Sequence, residues 1–229
     1  MQTIYCVDAF VTNQPCSGNP AGVFIRDTWP SDRWMQAVAT QLGYSETAFI
    51  CPENEEYTIR TFTPTTEVPL CGHATLASAY LLWTEGEVRD QLIIRAKGGH
   101  LRVERRSDTI ALFLPSPEKW MSYPIDSSRL SQMQITPQTT YRCGQDVIYE
   151  LESDEDLRAY QPDYALLQTY PERGHIFTAR SSEEKWDYIT RVFAPKIGVD
   201  EDPATGVAHR ILGPFWAERL DKKKCRGYQ

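Results

Sequence analysis

Leu70-Cys71-Gly72-His73-Ala74-Thr75-Leu76 and Asp202-Pro203-Ala204-Thr205-Gly206-Val207-Ala208 are two versions of one plan, set in opposite halves of the chain. In each, a loop carrying a glycine feeds a helix whose first turn holds small residues. The first continues as His73 to Trp83, rich in Ala and Leu, and reads as a buried helix. In the second, Asp202 to Leu220 reads as mostly helical, with Val207, Ile211, Leu212, Phe215, Trp216 and Leu220 as its apolar face and Pro214 expected to kink it. A helix N-terminus presents unpaired N–H groups and a partial positive charge, so it suits an anionic ligand group. Two such starts facing one another would form a cleft.

Strand signals surround the first of these helices. Ile4 to Phe10, Gly22 to Ile25, Thr47 to Cys51 and Tyr57 to Phe62 are β-branched or aromatic runs and read as strands. Cys16-Ser17-Gly18-Asn19-Pro20 is a dense turn signal. Ser31-Asp32 offers an N-cap to a helix carrying Trp34, Met35, Val38, Ala39 and Leu42, which Gly43 stops. Leu92 to Arg105 and Thr109 to Leu114 read as a hairpin. Pro115-Ser116-Pro117 cannot sit inside a central strand and marks the boundary between two lobes, 1–115 and 118–229. Ser127 to Thr140 is polar and turn-rich. Beyond it, Asp146 to Leu151, Gly174 to Ala179 and Tyr188 to Phe193 read as strands, and Asp154 to Tyr160 and Pro162 to Tyr170 as short helices.

At 229 residues, with 41% hydrophobic and 24% charged side chains, the chain can bury a core without help from disulfides or metals. The net charge of −7 counts against nucleic acid, which requires a basic face. The six cysteines are scattered with no C-x-x-C pair, and the N-terminus lacks a basic leader; both fit a reduced, cytoplasmic protein. Val68 to Thr84, the longest uncharged stretch, contains Pro69 and Gly72 and is shorter than the roughly 20 apolar residues of a membrane span, so no membrane partner is expected.

Glu46, in Tyr44-Ser45-Glu46-Thr47-Ala48-Phe49, is a lone carboxylate before an apolar strand. By itself it reads as a capping or surface residue. At the mouth of an apolar cleft it would be a general base, because desolvation raises a carboxyl pKa toward roughly 6–7. His73 reads either as a helix-start residue bonded to backbone or as a second acid/base group. Cys71 reads as an inert buried thiol or, at a helix start, as a stabilised thiolate. Asp200, Glu201 and Asp202 form an acidic run at a helix head and read as solvated charge; no metal site is expected from them. P-loop, G-x-G-x-x-G, H-E-x-x-H and G-x-S-x-G motifs are all missing from the sequence.

At these residues the sequence resembles the PhzF family of phenazine-biosynthesis-like isomerases. The matching segments are Val7-Asp8-Ala9-Phe10, Ser17 to Val23, Ser45 to Phe49, Phe62-Thr63-Pro64, Leu70 to Thr75, Arg191 to Pro195 and Glu201 to Gly206, in the family's order. The resemblance implies an α+β fold like that of diaminopimelate epimerase, with two similar lobes, each a curved β-sheet wrapped around a central α-helix, and the active site between them. It implies a cofactor-free isomerase that moves a proton on a small, anionic substrate, and a homodimer. It puts the catalytic roles on Glu46, His73 and Asp202. Substrate contacts are expected from Asn19, Cys71, Gly72, Ala74, Thr205 and Gly206.

Related epimerases use two cysteines. Here the second cysteine position is Asp202, which disfavours a two-thiol mechanism. Two departures from the family pattern bear on function. Val207 stands where the family usually has serine after Thr-Gly. The chain also stops at Gly227-Tyr228-Gln229, where family members continue with further strands, so a C-terminally truncated second lobe is expected. The alternative reading is therefore a catalytically weak or inactive ligand-binding homologue.

Overall fold

The computed structural model describes residues 3–12 and 17–229. The chain divides into two compact units, Met1–Pro115 and Ser116–Gln229. The first unit is built on strands β1 (Tyr5–Ala9), β2 (Asn19–Ile25), β3 (Glu46–Glu53), β4 (Glu56–Phe62), β5 (Glu67–Val68), β6 (Gln91–Ala96), β7 (Gly99–Arg105) and β8 (Ile110–Phe113), with helices α1 (Asp32–Leu42) and α2 (Gly72–Thr84). The strands form one sheet in the order β1-β2-β3-β4-β6-β7-β8, with β5 against β4. Helix α2 touches β1, β2 and β3, and also β8 at the far end of that order. A flat sheet could not bring both ends to one helix, so the sheet curls around it. Ten of the helix's residues are buried, from Gly72 through Trp83, which is why its apolar residues show no one-sided pattern.

On the sheet's other face lies α1. The Ser31 hydroxyl accepts the Trp34 N–H at 3.3 Å, and Gly43 ends the helix at φ 69°, as the sequence predicts. Met35 and Ala39 close over Phe24, Phe49 and Phe62, with Trp34 edge-on to Phe24. Full burial of one such aromatic contributes about 1.5–3 kcal/mol.

The second unit repeats the plan with β9 (Met121–Ser122), β10 (Thr139–Cys143), β11 (Asp146–Glu150), β12 (Gly174–Arg180), β13 (Tyr188–Ala194), β14 (Val199–Asp202) and β15 (Gly227–Tyr228). Their order is β14-β13-β12-β11-β10-β9, with β15 paired to β13. The alternation of the strands sorts two cores. Ile148, Ile176, Tyr188 and Val192 face α6 (Gly206–Leu220), meeting Ile211, Leu212, Phe215 and Trp216. Val147, Tyr149, Phe177, Ile189 and Phe193 face the opposite side, covered by Leu157 of α4 (Asp154–Ala159) and Leu167 of α5 (Tyr164–Thr169).

The α+β architecture with two curved sheets matches the expectation from sequence. Several local readings need correction. Of the predicted turn Cys16 to Pro20, Cys16 lies outside the described residues, while Asn19 and Pro20 already pair with Ala9 and Asp8 as the start of β2. Gly18 takes φ 95°, and a Cβ there would sit 2.6 Å from the Ala9 carbonyl oxygen. Leu92 to Arg105 is itself a hairpin, β6 and β7, and Ile110–Phe113 adds a third strand. The polar stretch after Ser127 holds a short helix, α3 (Ser127–Gln132), capped by Asp126, and the strand β10. Asp202 is not in a helix. It ends β14, paired with Val192, and Pro203 follows; the helix starts only at Gly206. Helix α6 runs through Pro214. Among the described residues, no helix is long and apolar enough to cross a membrane.

Candidate active site

Four of the expected side chains gather where β2, β3 and α2 begin in the first unit. Asn19 is the first residue of β2 and Glu46 the first of β3, whose parallel register pairs Glu46 with Ala21. Cys71 is the N-cap of α2, in extended conformation, and His73 lies in the first turn. The Asn19 amide nitrogen is 3.3 Å from His73 Nδ1, and Cys71 Sγ is also 3.3 Å from that nitrogen. Glu46 Oε2 lies 3.6 Å from His73 Nε2. The ligating atoms of Glu46, Cys71 and His73 all lie within 4.8 Å of one another.

The hydrogen-bond pattern assigns the ring's tautomer. Ser45 Oγ donates to Asn19 Oδ1 at 3.1 Å, so the Asn19 NH₂ group is the one turned to the ring. An amide donor at Nδ1 leaves the imidazole proton on Nε2, which lies 3.4 Å from Ser45 Oγ and 3.6 Å from Glu46 Oε2. Burial pulls the His73 pKa down to about 3, so the ring is neutral at ordinary pH. The neutral ring thus meets a hydroxyl and, slightly farther off, a carboxylate on its Nε2 side. Helix α2 has no side-chain cap, so its first N–H groups, including those of Gly72, His73 and Ala74, are not taken up by a capping side chain.

The remaining expected residues gather in the second unit. Asp202 is 7% exposed and accepts the Thr205 hydroxyl at 2.5 Å. Thr205 is the N-cap of α6, yet its side chain caps nothing, and Gly206 begins the helix. Three residues that sequence reasoning missed complete this cluster: Gln229, Tyr188 and His209. The Thr205 N–H donates to Gln229 Oε1 at 2.8 Å, and Gln229 Nε2 donates to the Asp202 carbonyl at 2.5 Å. Tyr188 OH lies 2.8 Å from His209 Nδ1, and burial brings the His209 pKa down to about 4. Ser45 was missed as well, although it adjoins Glu46. No sequence signal marks Gln229.

Two curved sheets, each wrapped on a helix whose start carries polar groups, define an α+β protein of two similar halves. The family described as phenazine biosynthesis-like protein matches residues 7–229. The chain belongs to this PhzF family. An uncharacterized isomerase of Halalkalibacterium halodurans is 41% identical over 228 residues, covering 99% of this chain and 86% of that one. The crystal structure of a PhzF-family phenazine biosynthesis protein from Enterococcus faecalis superposes with a TM-score of 0.85 at 33% identity, over 99% of this chain and 86% of that one. A predicted epimerase of Pseudomonas aeruginosa, at 19% identity and a TM-score of 0.68 over 96% of this chain and 83% of that one, shares the fold. Isomerase is thus the general activity class of the chain's named relatives.

Proposed function

We propose that the protein is an isomerase that moves a proton between positions on a small anionic molecule, with Glu46 as the base. The observation that supports this reading is the gathering of three proton-exchanging groups: Glu46, Cys71 and His73 lie within 4.8 Å of one another, with Glu46 Oε2 3.6 Å from the neutral ring's Nε2. A neutral imidazole beside the carboxylate leaves its charge in place, and can give a proton to the substrate as Glu46 takes one. Moving a proton leaves the oxidation level of the whole molecule unchanged, so the reaction needs no redox partner. The uncapped start of α2 supports binding of an anionic group by backbone N–H, with Cys71, Gly72 and Ala74 as contacts. The resemblance assigns Asp202 a catalytic role and Thr205 and Gly206 substrate contacts; Asp202, held by the Thr205 hydroxyl, is read as assisting by orienting the substrate.

A second reading, a ligand-binding homologue of weak activity, is favoured by Val207 in the first turn of α6, where a serine hydroxyl is the family pattern. One experiment separates the two. The purified protein is incubated in D₂O with a panel of small cyclic and acyclic amino acids, and loss of C–H signals is followed by NMR. The isomerase reading expects exchange in at least one compound and its loss in Glu46→Gln. Exchange that persists unchanged in E46Q rejects Glu46 as base, and none in the wild type favours the binding reading.

A further inference from the structure

Thr205 is an N-cap that does not cap. A threonine in this position ordinarily accepts an N–H from the first turn of its helix. Here the Thr205 Oγ1 atom is engaged elsewhere. It accepts from Gln229 Nε2 at 2.9 Å and lies 2.5 Å from Asp202 Oδ2. A hydroxyl has one hydrogen, and a carboxylate can only accept. With the glutamine amide donating to the oxygen, that hydrogen must go to Asp202.

The Gln229 amide is used to the full in this arrangement. Its Oε1 accepts the Thr205 N–H at 2.8 Å, and its two N–H bonds go to the Asp202 carbonyl, at 2.5 Å, and to Thr205 Oγ1. One side chain therefore clasps both ends of the loop between β14 and α6. The clasp is itself anchored. Gly227 and Tyr228 pair with Tyr188 and Ile189 as β15, and a Cβ on Gly227 would run into the Tyr188 ring, so only glycine lets the chain lie this close. Arg226 N–H donates to Asp187 at 2.7 Å, and Asp187 N–H donates to the Arg226 carbonyl at 2.8 Å. His209 Nδ1 lies 2.8 Å from Tyr188 OH, and the His209 side chain also bonds Gln229.

We propose that Gln229 is a positioning residue for the second-lobe site: it turns the Thr205 hydroxyl away from capping α6 and onto Asp202, which fixes the carboxylate and keeps the first N–H groups of α6 available to a ligand. The catalytic part of this inference rests on the isomerase reading above. The structural part does not, because the clasp lies within one unit of the chain.

The test compares wild type with Gln229→Ala and Gln229→Glu. Amide hydrogen exchange by NMR reads the clasp directly. In Q229A the Thr205 amide exchanges at least about tenfold faster, and the Val207 amide slows as the freed hydroxyl swings to cap it. Q229E keeps an acceptor for the Thr205 N–H but loses both donors, so it protects that amide and still loses activity. On a substrate found in the deuterium assay, Q229A and Q229E raise KM and lower kcat/KM by about 10- to 100-fold. Unchanged exchange at Thr205 and Val207 in Q229A overturns the inference, and so does wild-type KM in Q229A. Should the wild type turn over nothing, or E46Q exchange as fast as wild type, the isomerase reading fails by itself and the amide data alone decide the role of Gln229.

Discussion

The two central helices begin differently from every other α-helix among the described residues, and differently from each other. Helices α1, α3, α4 and α5 are each capped by a serine or aspartate side chain: Ser31, Asp126, Ser153 and Asp163. Neither α2 nor α6 has a side-chain cap. A cap satisfies donors that would otherwise seek an acceptor, so its omission at just these two helices leaves binding capacity where the family resemblance puts the substrate. The contrast between the two starts is chemical. At α2 an imidazole, a thiol and a carboxylate crowd together, all suited to proton transfer. At α6 a carboxylate is held by a hydroxyl and an amide, groups that orient and do not titrate near neutral pH. The start of α2 thus carries proton-exchanging groups, and the start of α6 carries groups that fix a carboxylate.

The largest expected effect tests that division. Glu46→Gln removes the proposed base and lowers the exchange rate by about 10²- to 10⁴-fold. Asp202→Asn keeps an acceptor for the Thr205 hydroxyl and only weakens the bond, a change of about 1 kcal/mol or roughly fivefold. Deuterium exchange of both variants on one substrate decides. If D202N falls as far as E46Q, the second lobe takes part in the proton transfer and the contrast breaks.

Much of this contrast was legible before any coordinates. The Gly-containing loops at Cys71 and Thr205, the cap at Ser31 and the stop at Gly43 act through neighbours in sequence, so the sequence reports them. Asn19, Glu46 and His73 could be singled out, but not their contacts, because those depend on the parallel register of β2 with β3. Gln229 was invisible for the same reason. Its partners are Asp202 and Thr205, brought to it by the pairing of β15 with β13. The acidic run before Pro203 misled because helix heads and strand ends both favour acidic residues. Only the pairing of β14 decides for the strand, where Asp202 opposes Val192 and Glu201 meets Arg191 at 2.7 Å.

A second comparison concerns what holds each unit together. Glu172 in the second unit has no exposed side chain and accepts from Arg129 at 2.8 and 3.1 Å and from Tyr123 OH at 3.1 Å. Glu67 in the first unit pairs with Arg60 at 2.8 Å, but both side chains are about a quarter exposed. Glu172→Gln leaves Arg129 charged in a dry setting and is expected to cost about 3–5 kcal/mol. Glu67→Gln should cost about 1 kcal/mol or less. Urea unfolding of the two variants checks the difference, and equal losses would mean that burial does not govern these pairs.

Acid should separate the units further. Burial holds His73 at about 3, His175 at about 4 and His209 at about 4, all below the ordinary histidine value. An unfolded chain takes up protons as pH falls through about 6.5, while these folded sites do not. The stability they allow is therefore full above pH 6.5 and declines as pH drops. Between pH 6.5 and 5 each such histidine removes up to about 2 kcal/mol. The second unit has two of them and the first has one, so backbone hydrogen exchange at pH 5 should rise more in Ser116–Gln229 than in Met1–Pro115. An equal rise in both would show that the two buried rings of the second unit do not govern its acid response.

The smallest effect returns to the caps. Ser31→Ala removes the bond to the Trp34 N–H and should cost about 1 kcal/mol, as caps do. The converse substitution is Cys71→Ser, which places a strong capping residue at the start of α2 in backbone already extended at φ −139°, ψ 122°. A serine hydroxyl there can accept an N–H from the first turn, so the variant should be no less stable than wild type, and up to about 1 kcal/mol more stable. The same bond would occupy a donor that the proposed ligand uses. The outcome that supports the comparison is therefore paired: melting temperature held or raised, and KM for the exchanged substrate raised. A stable C71S protein with unaltered KM would mean that the missing cap at α2 leaves nothing a ligand needs, and the resemblance between the two helix starts would then be one of fold alone.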